Sequence, residues 1–238
     1  MSQLAHQAEI LKLARFLDVA PEQLDMLDPV PSDAIRRLRE QATEQFFASD
    51  EAFFRRVVSA SRLLPISLLT VVAEKVLGPM LSARVAGQMD VDRGVGIAER
   101  LPTDFLATLC LSLDPKHTRD LIRAMPEARI RDVARELAAR EEYVTMARFV
   151  DILDTRVIAG VIEEIDDSGL LHSAFFAENR ARLEEIMAQL PEERLKRIIG
   201  TAADNAELWP DALSLWSMSA SNGAAAWAIW RLSWTRAC

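Results

Sequence analysis

Seven segments of this chain share a twelve-residue frame, five of them back to back. From Gly78 they read GPMLSARVAGQM, DVDRGVGIAERL, PTDFLATLCLSL, DPKHTRDLIRAM and PEARIRDVAREL, then after a four-residue insertion EYVTMARFVDIL and DTRVIAGVIEEI. Position 8 is always apolar (Val85, Ile97, Leu109, Leu121, Val133, Phe149, Val161), and so is position 12 (Met89, Leu101, Leu113, Met125, Leu137, Leu153, Ile165). With positions 5 and 9 often apolar too, the frame carries the i, i+3, i+4, i+7 stripe of an amphipathic helix, restarted by an Asp or Pro that caps or begins a helix. A single unit of this length cannot bury its stripe, so neighbouring units must stack.

The remaining composition narrows the fold class to all-α. Half of the 238 residues are hydrophobic, enough for a sizeable core, while only eight glycines and one tyrosine occur and no period-2 alternation is sustained. The pattern predicts a superhelix, an α-solenoid, of short repeats of about twelve residues. Residues 1–64 read as N-terminal helices leading into the array, 65–202 as the array, and 203–238 as a Trp-rich helical cap, all within one continuous body.

Ahead of the array, residues 4–17 form an amphipathic helix. The Pro21, Pro29, Pro31 stretch is a connection with one helical turn, Ser32-Asp33 starts a second helix, and Ser49-Asp50 caps a third. Pro65 opens a further unit in register. Beyond Ile165 the phase loosens, Asp166 to Gly169 reads as a turn, and the frame returns at Pro191. All five tryptophans fall between 209 and 234, with Trp227, Trp230 and Trp234 on one helical face. Ala212 to Trp230 lacks charge but is polar in its middle, which speaks against a membrane span there.

Charge and chemistry constrain function mostly by exclusion. The formal net charge of −8 disfavours nucleic acid, although 24 of the 28 basic residues are Arg and could cluster, as in Arg36, Arg37 and Arg39 or in Arg129, Arg131, Arg135 and Arg140. Those stripes read more simply as solvated helix faces. Cys110 and Cys238 form neither a disulfide framework nor a metal spacing, and Cys110 reads as a small buried apolar residue. No secretory leader is legible at the N-terminus, so a reducing cytoplasm is the expected location. Gly94-Val95-Gly96 is only a fragment of a dinucleotide loop, and Asp90-x-Asp92-x-Gly94 lacks the glutamate that would close a calcium loop. His117 reads as a surface or interface residue. Glu163, Glu164, Asp166 and Asp167 surround one helix end and are the candidate ligands for a weakly held Mg²⁺; a solvated acidic cluster is the simpler alternative. No other cofactor is expected.

The junctions Leu101-Pro102-Thr103-Asp104, Leu113-Asp114-Pro115, Met125-Pro126-Glu127 and Leu190-Pro191-Glu192-Glu193, with the stripe between them, resemble the cytoplasmic N-terminal domain of MgtE-type magnesium transporters. They also resemble the related middle segment of the flagellar motor switch protein FliG. The resemblance covers roughly residues 65–202 and implies short helices stacked into a right-handed superhelix. No CBS pair or transmembrane region accompanies it in this sequence, so transport is not implied. Only a weak cation site at Glu163 to Asp167 carries over.

Taken together, the sequence predicts a non-enzymatic scaffold or regulator that binds another protein, with Trp216, Trp227, Trp230 and Trp234 as contact residues. A homodimer is compatible with this reading. The alternatives are a HEAT-like-repeat enzyme of the DNA-base glycosylase type and a Mg²⁺-responsive regulator. The stripe itself is testable. Leu109→Asp places an unpaired carboxylate on it and is expected to cost several kcal/mol, read as a lowered urea midpoint.

Overall fold

The computed structural model describes residues 2–48 and 51–204, which are helical with no strand among them. Helix α1 (Ser2–Leu17) is followed by a 3-10 turn at Pro21–Leu27, α2 (Ser32–Ala48), α3 (Glu51–Ser61) and α4 (Ile66–Val72). A π-helical turn, Ala73–Leu77, leads to α5 (Gly78–Ala86), α6 (Val91–Ala98), α7 (Thr103–Ser112) and α8 (Arg119–Ala124). The chain continues through α9 (Glu127–Ala139), α10 (Tyr143–Phe149), α11 (Thr155–Glu163), α12 (Asp167–Phe176), α13 (Arg180–Met187) and α14 (Glu192–Asp204). Each of the seven twelve-residue segments holds one helix, α5 to α11. The proposed cap at Ser49-Asp50 and, of the predicted cap at 203–238, residues 205–238 lie outside the described residues.

The first residue of the frame works through its backbone. Asp90, Pro102, Pro126 and Asp154 hold extended ψ angles of 133 to 149° and make no side-chain cap bond. Their carbonyls accept the first helical N–H groups, from Gly94, Leu106, Ile130 and Ile158 at 2.9 to 3.1 Å. Proline and aspartate are thus interchangeable at this position because both favour the extended conformation and neither needs its own N–H there. Side-chain capping occurs instead at Asp166, which accepts from Gly169 N at 2.7 Å, and at Asn179, which accepts from Arg182 N at 3.1 Å.

That cap corrects one expectation. Asp166 to Gly169 is not a turn: Asp167, Ser168 and Gly169 are the first turn of α12. Gly169 is there because of crowding, since a Cβ would lie 2.9 Å from Asp166 Oδ1 and 3.1 Å from Tyr143 Cε1.

Helices pack on their next-but-one neighbours. One file runs α3, α5, α7, α9, α11, α13, and the other joins α4, α6 and α8 and then α10, α12 and α14. The buried apolar residues accordingly form several small clusters, such as Leu69, Ala73, Ile97, Ala98, Leu101 and Leu106 in one place and Leu171, Leu183 and Ala202 in another. Residues 1–64 do more than lead into the array. Helix α1 packs on α2 and reaches α12, and Lys12 bonds Glu178, 166 residues later.

Arginine at position 4 of the frame ties the units together. Arg129 donates to the carbonyls of Leu101 and Ala98 and to Thr103 Oγ1. Arg194 donates to the carbonyls of Ile162 and Ile165, and Arg93 to those of Ser61 and Leu64. Arg182 reaches Leu153 O and Thr155 Oγ1, both at 2.7 Å. In frame terms, position 4 serves carbonyls at positions 9 and 12 of the unit three before it, the groups a short helix leaves without intrahelical partners. Arg148, from another position, does the same for Leu111 and Leu113. Arg129 is therefore not on a solvated stripe, as its sequence context suggested. Replacing it with Met strands those carbonyls and should lower the unfolding free energy by about 2 kcal/mol. Arg129→Lys should recover only part, since an ammonium lacks the fork that reaches three acceptors; urea denaturation of the three proteins checks both.

Candidate functional site

The acidic cluster does not converge. Glu164 pairs with Arg135 at 2.9 Å, Asp167 with Arg194 at 2.7 Å and Arg197 at 3.5 Å, and Asp166 is the cap of α12, while Glu163 is exposed. Among the described residues no group of three or more His, Cys, Asp or Glu side chains is placed to hold a metal ion. The cation-facing carboxylates serve inter-unit packing, which a spacing-based reading cannot separate from ligation. Trp216, Trp227, Trp230 and Trp234 lie outside the described residues. His117 is exposed at the surface, its Nδ1 2.5 Å from Asp114 Oδ2.

Three other features stand out. The first is an ionic cluster that holds α1 and α2 against the α12–α13 junction. Glu9, only 1% exposed, accepts from Lys12 at 3.2 Å, Arg36 at 3.1 Å and Arg39 at 3.2 Å. Lys12 and Arg39 bond Glu178 as well, at 3.1 and 2.6 Å. Arg15 pairs with Glu142 nearby in the same seam. A buried carboxylate is tolerated only with such partners.

The second is an exposed apolar edge. Leu63 (89% exposed), Leu68, Val71, Val76, Met80 and Leu81 form a run from the end of α3 into α5. Ile66–Ala86 is long and apolar enough by composition to cross a membrane. Its path is not straight, however: Gly78 sits at φ +71°, and Ser82 Oγ donates to Ala73 O at 3.3 Å, a pair nine residues apart. In a continuous helix those residues would be separated by about 13 Å along the axis. The chain folds back at Gly78, where a side chain would strain the backbone.

The third is a cavity of about 530 Å³, lined from Val57 on α3 to Ile198 on α14 by helices of both files. The frame explains it. The stripe residues line it together: Leu101, Leu109, Leu113 and Leu137 are buried, Met89, Leu121, Met125, Val133, Phe149 and Val161 are half-buried, and all of them face the cavity. Cys110 is on this wall, and burial pushes its thiol up to about 12 against the opposing pull of Arg148. It is a protonated, unreactive sulfur at neutral pH.

Compared with known family models, with curated proteins and with solved structures, the chain has no match.

The ionic cluster has a pH signature. Burial raises the pKa of Glu178, but Lys12 and Arg39 outweigh it and the net shift is downward from 4.5. A depressed carboxylate contributes its full stabilisation above the ordinary value and loses it as pH falls through the lowered one. The protection factors of the α1 and α2 amides, corrected for intrinsic exchange at each pH, should therefore fall as pH drops below about 4.5. In Glu178→Gln the same amides should exchange faster already at pH 6, with a smaller further response to acid.

Proposed function

We propose that this chain is a non-enzymatic helical-repeat protein, a right-handed superhelix of twelve-residue units like those of the MgtE N-terminal and FliG middle domains. Its role is to scaffold or regulate a partner protein, and the α4–α5 edge is the surface that binds it. The observation that carries this reading is the concentration of large exposed apolar side chains at Leu63, Leu68, Val71, Val76, Met80 and Leu81. Large apolar side chains left exposed in such number along one segment are costly in water and mark it as a candidate interaction surface.

Two features favour a protein over a lipid surface as the occupant. The edge is bordered by pairs of both signs, Arg62 with Asp90 at 3.4 Å and Glu74 with Lys75, so it offers no cationic attraction to anionic headgroups. The fold-back at Gly78 also leaves Ile66 to Leu77 with a rise of roughly 18 Å, well short of the bilayer core of about 30 Å. An apolar centre with a mixed-charge rim matches protein interfaces.

The test is a pair of variants in the source cell. Leu68→Glu and Val76→Glu alter exposed side chains, so each should leave the melting temperature within the range of an ordinary surface substitution. Tagged wild-type protein, crosslinked and purified, should retain a defined partner that both variants lose. Retention of the same proteins by wild type and variants would sink the assignment of this edge.

A further inference from the structure

We infer that the cavity between the two helix files is a binding channel for a single long unbranched aliphatic chain, an acyl group recognised by its hydrocarbon and not by its headgroup. This goes beyond the scaffold reading and is independent of it, because Leu68, Val71, Val76 and Met80 take no part in the cavity wall.

Close packing normally leaves few voids larger than a water molecule. A volume of about 530 Å³ lies instead in the range of small-molecule sites, about 300–1,000 Å³. Its shape follows from the packing order. Six helices in a file, spaced at about 8–10 Å, give a wall on the order of 40–50 Å long. The volume spread along that wall makes a narrow channel, which accepts an unbranched chain better than a compact ring system.

The chemistry of the wall points the same way. Its few polar groups are engaged: Ser61 Oγ donates to Val58 O, Ser82 Oγ to Ala73 O, Ser173 Oγ contacts Met146 Sδ, and the Arg129 guanidinium is held by Leu101, Ala98 and Thr103. Among the described residues none of these groups remains to anchor a carboxylate or phosphate, and they offer little to ordered water, which needs two to four polar partners. A channel that neither water nor a charged group can occupy favourably is filled by hydrocarbon. Four of the eight methionines, Met89, Met125, Met146 and Met187, are on this wall. Unbranched, polarizable side chains of this kind adapt to ligands of variable length.

The experiment uses the full chain, stripped of bound lipid, titrated with cis-parinaric acid and separately with its methyl ester. Saturable fluorescence at one probe per chain, with equal affinity for acid and ester, is expected. Ala134→Leu on α9 and Ala174→Leu on α12 each add bulk to the channel wall at separate points. Each should weaken binding by at least about tenfold, a difference of about 1.4 kcal/mol. If one variant fails to fold by circular dichroism, the other still decides. Leu68→Glu, outside the channel, should bind as wild type does, so loss of the partner and loss of the ligand are separable. Three outcomes would overturn the inference. One is no saturable binding by the wild type together with a raised melting temperature in the filled variants, which marks a packing void or a channel occupied by the chain itself. The others are unchanged affinity in both filled variants, and binding of the acid but not of the ester.

Discussion

A helix of eight to ten residues leaves a large share of its backbone polar groups without intrahelical partners, because the first four N–H and last four C=O groups are always orphaned. Among the described residues six of the fourteen α-helices are of that length and three are shorter still, and the satisfaction of those carbonyls is the constraint on which the remaining structure depends. Arginine at position 4 meets it across units: Arg93, Arg129, Arg182 and Arg194 each reach the helix end about thirty residues earlier. The bonds are charge-assisted and forked, so they set both distance and orientation between units. Apolar stripes alone would permit sliding; the clamps define a register.

A register imposed through the helix ends has a consequence for the interior. The clamps act at the junctions, while the stripes face one another between the files, and the spacing that suits one need not close the other. Leu101, Leu109, Leu113 and Leu137 are buried, yet stripe residues such as Met125, Val133 and Phe149 remain half-buried around a cavity of about 530 Å³. The core is consequently a set of small clusters, each drawn from a few helices, and a damaging substitution should act mainly on its own neighbourhood.

The N-terminal helices add the long-range element that a purely nearest-neighbour array lacks. Glu9, Lys12, Arg39 and Glu178 place two carboxylates and two cations in a partly buried seam, where Glu9, the most buried of them, depends on its cationic partners. Local contacts between successive units and one ionic closure between distant parts are thus two different kinds of stabilisation. The ionic closure carries the response to acid that Glu178 confers.

Helix placement was legible in the sequence because it depends on local rules. Seven frames predicted seven helices, and their starting residues, Asp90, Pro102, Pro126 and Asp154, bias the backbone toward the extended conformation that precedes a helix. The turn expected at Asp166 to Gly169 is instead the first turn of α12, where the absence of a side chain on Gly169 lets Tyr143 come close. The recurrence of arginine in DVDR, NRAR, PEAR and PEER was visible, but its meaning was not, since identical spacing also describes a solvated face. The partners of the acidic cluster were hidden for the same reason: Arg135, Arg194 and Arg197, which meet its carboxylates, come from other helices. Periodicity along the chain therefore determined the class, the helix spans and the apolar stripe. Tertiary structure alone decided which carbonyls each arginine meets, that α1 returns to α12, that the chain folds back at Gly78, and that the stripes enclose a channel, because each of these depends on groups brought together from distant positions.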